Sequence, residues 1–89
     1  MVKIVGSFEV ENWDHWKKGF DEHSEARSKV GIKTIYVGHE LENSNKVHMI
    51  FKTPEADSLQ KFMQQPENQE VIKNSGHKRE TTVMVVCSD

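Results

Sequence analysis

The sequence of 89 residues contains a single cysteine, Cys87. It has no partner for an internal disulfide, and without a second thiol there is no CxxC pair or zinc knuckle, so Cys87 reads as a small apolar residue on a strand. An excess of one charge is also missing. Twelve Lys plus Arg stand against fourteen Asp plus Glu, a net charge of -2. The electrostatic drive for nucleic-acid binding is therefore absent, and DNA or RNA is not an expected partner. No apolar run approaches the roughly 18 residues of a membrane span, and Met1-Val2-Lys3-Ile4-Val5 lacks the longer apolar stretch of a signal peptide. The expectation is a soluble, cytoplasmic chain with no membrane partner. Apolar residues are scarce as well: 35% are hydrophobic, and even with the glycines added this stays below the roughly 45–50% of ordinary globular chains. So thin a core in so short a chain invites help from a partner subunit. No linker, repeat or low-complexity segment divides the sequence, which predicts one domain over 1–89.

What is present alternates in type. Lys3 to Glu9 and Ile32 to Leu41 are rich in β-branched and aromatic residues and predict two strands. Glu42-Asn43-Ser44-Asn45 is a polar reversal into a third strand, Lys46 to Thr53. Thr81 to Cys87 is the least charged stretch and predicts a fourth strand, buried on both faces. Between the first two strands, Asn12 is an N-cap and Gly31 a C-terminal stop for one long helix. Its residues Trp13, Trp16, Phe20, His23, Arg27 and Val30 share one face at helical spacing. After the third strand, Thr53-Pro54-Glu55 starts a second helical segment, and Pro66-Glu67 restarts it as far as Gly76. The order is β-α-β-β-α-β, an α+β, ferredoxin-like arrangement: a four-stranded antiparallel sheet with two helices on one face. Another small α+β sandwich is the alternative. A hairpin register with Glu42 facing Asn45 sets Tyr36 opposite Phe51, Val37 opposite Ile50 and His39 opposite His48. Tyr36, Met49 and Phe51 would then lie under the helices. The other face, with Val37, Ile50, His39 and His48, would need a second sheet to cover it, which a symmetric homodimer supplies.

Two polar residues interrupt the aromatic helix stripe, His23 and Arg27, and at a spacing of four they are neighbours. One reading has both near the helix end, with Arg27 reaching out to solvent and His23 bonding a backbone carbonyl. The other has an apolar pocket between helix and sheet in which Arg27 and His23 orient a ligand, with Tyr36 a third polar contact. Trp16, Phe20, Phe8, Met49 and Phe51 would form its apolar wall. Five histidines suggest metal, yet no HExxH is present and His39 with His48 makes only two ligands, so no metal site is expected. No GxSxG and no phosphate-binding glycine loop occurs, which argues against covalent catalysis and nucleotide binding.

Phe8, Trp16, Phe20-Asp21-x-His23-x-x-x-Arg27-x-x-x-Gly31-Ile32, the Tyr36 strand, Phe62-x-x-x-Pro66 and Gly76 together form a pattern that resembles the dimeric α+β barrel superfamily. The likeness is nearest to antibiotic biosynthesis monooxygenase-like proteins and small bacterial relatives of unassigned function, and it covers nearly the whole chain. It implies two sheets packed face to face in a homodimer, with a cavity between each sheet and its helices. Its characterised members include cofactor-free monooxygenases, lactone isomerases, haem-degrading enzymes and polyketide cyclases, so the fold does not choose a reaction. Haem-degrading members use a His near the second helix, whereas Glu55 to Asn74 contains none. The polyketide monooxygenases line their cavity with Trp, Tyr and Asn, parts for which the resemblance offers Trp16 and Tyr36 without a match position by position. Residue by residue, only His23, Arg27 and Gly31 carry over. The expected function is a homodimer that binds an apolar molecule with an acidic or carbonyl group, such as a polyketide or an oxo-fatty acid. No cofactor is expected, and His23 would be the general acid or base of an oxygenation or isomerisation. A non-catalytic dimeric protein-interaction module is the alternative.

Overall fold

A computed structural model describes all 89 residues. The chain runs β1 (Val2–Val10), α1 (Trp13–Glu22), α2 (Ser24–Lys29), β2 (Lys33–His39), β3 (Lys46–Thr53), α3 (Ser58–Gln64), α4 (Pro66–Asn74) and β4 (His77–Ser88). The strands form one antiparallel sheet in the order β2-β3-β1-β4. This is the expected α+β, ferredoxin-like fold, with the first expected helix divided in two and the second interrupted at Pro66 as expected. Period-two burial along β1 and β3 explains the layering: Ile4, Phe8 and Val10 alternate with more exposed residues, as do Val47, Met49 and Phe51. One face of the sheet therefore carries the core and receives the helices. Gly6 lies on that face, and a Cβ there would come within 2.7 Å of Met49 Cε and 3.2 Å of Met84 Cγ. The missing side chain is the space those two methionines fill.

Local signals set the helix ends. Asn12 has extended backbone, and its side chain accepts from His15 N–H at 2.9 Å, satisfying one of the free donors of α1. At the far end of α2, Gly31 N–H bonds the Ser28 carbonyl and Ile32 N–H the Arg27 carbonyl, both at 3.0 Å. Gly31 has φ +80°. This paired closure around a left-handed residue is the Schellman motif, and glycine adopts that backbone without Cβ strain. Between α1 and α2, His23 stands at φ -96°, ψ 9°, off the helical values. The Arg27 N–H to His23 carbonyl bond is stretched there to 3.4 Å, so the one long helix expected from the stripe is two. The second helical segment starts later than Pro54, at Ser58, and restarts at Pro66 as predicted. Buried Asn68 holds that junction by donating from Nδ2 to the Phe62 carbonyl at 2.8 Å.

The sheet corrects three expectations. A bulge between Thr34 and Tyr36 inserts a residue into β2, and the pairs are Tyr36 with Ile50, Val37 with Met49, Gly38 with His48 and His39 with Val47. A shift of one residue moves side chains to the opposite face. Tyr36 therefore lies outside, half exposed, and His39 lies on the helix side, its ring edge-on to Trp13 at 4.7 Å. His39 and His48 do not face each other, and His48 Nε2 instead meets Glu40 Oε2 at 2.7 Å. Strand β4 is an edge strand, not one buried on both faces: Val83, Val85 and Val86 are all more than half exposed. The outer face of the sheet, bare of helices, carries a row of aligned residues, Tyr36, Ile50, Val5 and Val85, one from each strand.

Candidate functional site

A cavity of about 80 Å³ lies between the helices and the inner face of the sheet. This is narrow beside the ~300–1,000 Å³ of pockets for drug-sized ligands. Three methionines, Met49, Met63 and Met84, lie in its wall, and their flexible thioethers let it widen around a chain or a ring edge. Of the residues expected to form an apolar wall, Phe8, Trp16 and Phe20 line it from β1 and α1, and Met49 and Phe51 from β3. Tyr36 does not join them, because the β2 bulge turns it to the outer face.

The aromatic residues are ordered. Phe8 meets Trp16 edge-on at 5.3 Å between centroids, and Trp16 stacks on Phe20 at 4.9 Å. The Arg27 guanidinium carbon lies 3.6 Å over the Phe20 ring, a cation–π contact at one end of this series. The other end is His77, whose ring lies 4.0 Å from that of Phe8.

Arg27 is 6% exposed. No ion pair or side-chain hydrogen bond within the chain engages its guanidinium, yet no unbonded side-chain nitrogen of the molecule is sealed from open space. The unbonded nitrogens therefore keep some accessible surface, and Arg27 is among the residues that line the cavity. Burial lowers its pKa from 12.5 to about 10, partly offset by the attraction of Asp21. The group still carries its charge at neutral pH. Its backbone is fixed by the Schellman closure, which takes the Arg27 carbonyl. A charge so poorly solvated and without a carboxylate partner favours an anion entering the cavity.

His23 also lines the cavity, its ring 5.4 Å from that of Phe62, and it makes no side-chain hydrogen bond. It borders two surface clefts as well, one toward α3 and one toward Ser75 and Asn74. It thus stands at the boundary between interior and solvent, where the break between α1 and α2 puts it.

His77 lines the cavity too, although no local pattern in the sequence marks it. Its Nε2 pairs with Thr82 Oγ1 at 2.9 Å. Burial, reinforced by Arg79 and opposed by Glu80, lowers its pKa from 6.5 to about 4, so the ring is uncharged at neutral pH. The expected fourth strand began at Thr81, whereas β4 starts at His77 and pauses in a bulge. There Thr81 Oγ1 accepts from Glu9 N–H at 2.8 Å in place of a ladder carbonyl. Gly76, with φ +80°, was the one sequence signal that a new element starts beside His77.

No group of side chains is placed to hold a metal ion, and no helix is long and apolar enough to cross a membrane. The family described as "Domain of unknown function (DUF3764)" matches residues 2–89, and the chain belongs to it. No curated protein matches. Among solved structures, the chain is similar to a candidate antibiotic biosynthesis monooxygenase from Bordetella bronchiseptica, with a TM-score of 0.77 and 13% identity over 99% of this chain and 95% of that one. It is similar to SnoaB, a cofactor-independent oxygenase from Streptomyces nogalater, with a TM-score of 0.71 and 14% identity, covering 99% and 91%. A conserved protein from Methanosarcina mazei follows, with a TM-score of 0.67 and 18% identity, covering 99% and 91%. At these identities the likeness shows the fold, which is that of antibiotic biosynthesis monooxygenase-like proteins.

Proposed function

We propose that this member of an uncharacterised family binds a small amphipathic acid in the cavity between helices and sheet, with the anion on Arg27 and the apolar body along Phe8, Trp16 and Phe20. One observation carries the reading: a buried guanidinium without an ionic or hydrogen-bonded partner lines a cavity whose wall is mostly apolar. The narrowness of that cavity and its methionine wall favour a fatty-acid-like chain over a rigid fused polycycle. The working unit is a homodimer joined through the outer sheet face, since the row Tyr36, Ile50, Val5 and Val85 has no cover in the subunit. A similar structure is described as a cofactor-independent oxygenase. The chemistry proposed here is of that class, with dioxygen as the oxidant, or isomerisation, and either needs a bound acid with a carbonyl-activated C–H from which His23 takes the proton at the cavity's edge.

Calorimetric titration with decanoate and with decanol tests the anion site. The parent protein is expected to prefer decanoate. Arg27→Met, which keeps an apolar side chain over Phe20, is expected to lose roughly ten- to a hundredfold in decanoate affinity, the size of a hydrogen-bonded charge contact, and little for decanol. Its thermal stability should be equal or higher, because a poorly solvated charge is gone. Equal decanoate affinity in the variant would reject the site and leave the interaction-module reading in its place.

A further inference from the structure

Four polar side chains line the cavity, Arg27, His23, Ser75 and His77, and the aromatic series separates Arg27 from His77. Arg27 ends it over Phe20, and Phe20 lies near Phe51 of β3, with centroids 6.0 Å apart. His77 ends it against Phe8, and Phe8 pairs with Val47 of the same strand. Val47 and Phe51, the β3 residues beside the two ends, lie about 13 Å apart along the strand. Between them the wall is mostly apolar. The two ends differ in kind: one is a cation lacking an anion, the other an imidazole whose Nε2 is held by Thr82 and whose Nδ1 has no partner in the chain.

We infer that the cavity is a two-ended site for chain-like acids that carry an uncharged oxygen function at the far end, with Arg27 taking the carboxylate and His77 a terminal hydroxyl or keto group. This rests on the reading of Arg27 as the carboxylate anchor and adds the determinant at the other end. A hydroxyl satisfies Nδ1 whichever tautomer the ring holds, by donating to it or accepting from it. A second carboxylate does not fit, because the cavity wall at this end offers only the uncharged His77 ring packed on Phe8, while the nearby Arg79 lies outside that wall. His77 thus selects ω-oxygenated acids over both plain acids and diacids.

Calorimetry at neutral pH with decanoate, ω-hydroxydecanoate and the ten-carbon α,ω-diacid tests this, with ω-hydroxyoctanoate and ω-hydroxydodecanoate bracketing the length. The hydroxy acid that spans the two ends is expected to bind roughly two- to tenfold more tightly than the plain acid of the same length, the size of one neutral hydrogen bond. The diacid is expected to bind more weakly than either. His77→Phe preserves the ring against Phe8 and is expected to bind the plain acid as the parent does while losing the hydroxyl preference. Thr82→Val, which frees the ring without removing it, should reduce that preference in part. A parent protein that binds decanoate through Arg27 yet shows no hydroxyl preference at any length overturns the assignment of His77 alone. A preference that survives His77→Phe overturns it equally. Decanoate binding that ignores Arg27→Met overturns the anchor and the two-ended site together.

Discussion

Two residues of similar chemistry are set apart by their surroundings. His23, at a helix break and bordering solvent, keeps access to water. His77 is packed on Phe8 and resists protonation. Folding therefore holds His77 neutral at pH values where the unfolded chain would protonate it. Its pKa falls on folding from 6.5 to about 4, so its contribution is complete above about pH 6.5 and is lost as pH falls toward 4. The total is at most roughly 3–4 kcal/mol. Urea unfolding between pH 7.5 and 4 is expected to show this loss in the parent and a flatter profile in His77→Phe. A parallel decline in the two would assign the acid sensitivity to other groups. The stripe of Trp16, Phe20, His23 and Arg27 was legible in the sequence because helical spacing alone brings those residues together. His77 was not, since what places it in the cavity is a ladder to Val10, sixty-seven positions away in the chain, followed by a bulge.

At the scale of elements, ends written in a few adjacent residues could be read: Asn12 as a cap, Gly31 as a stop, Pro66 as a restart and all of β3 from Lys46 to Thr53. Features that depend on cross-strand geometry could not. The bulge in β2 reverses the face of Tyr36, and the helix break at His23 follows from no glycine or proline. Two glycines near the cavity separate local from tertiary requirements. Gly31 has φ +80°, and a Cβ on it would lie 2.9 Å from Pro54 Cγ, part of a rigid ring. Gly31→Ala is expected to destabilise the protein by roughly 1–3 kcal/mol, from left-handed strain plus the clash. Gly19 lies inside α1, and the nearest heavy atom to an added Cβ is 3.8 Å away. Gly19→Ala should stabilise by about 0.5–1 kcal/mol through helix propensity. Denaturant midpoints measured in parallel check both signs. Equal effects would mean that Gly31 does not close α2 as described, and with it that the Arg27 backbone is not held by that closure.

For the whole molecule, the inner face of the sheet is filled and the outer face is not. Tyr36, Val5 and Val85 are 52%, 42% and 54% exposed in the subunit, and Ile50 between them completes an apolar row. A second copy laid on this face buries the row symmetrically. Ile50→Glu, in the middle of the row, is expected to convert a dimer into a monomer by light scattering at micromolar concentration while leaving the cavity untouched. A parent protein of single-chain mass would remove the dimer from the account. The ligand claim rests on the opposite side of the sheet, so the two are separable. The measurement that bears on it most directly is a crystal structure of the protein with bound decanoate. The carboxylate is expected within hydrogen-bond distance of the Arg27 guanidinium, with the chain running along Phe20, Trp16 and Phe8 toward His77. A chain seated on the outer row of Tyr36 and Ile50, or a carboxylate turned away from Arg27 into solvent, would contradict it.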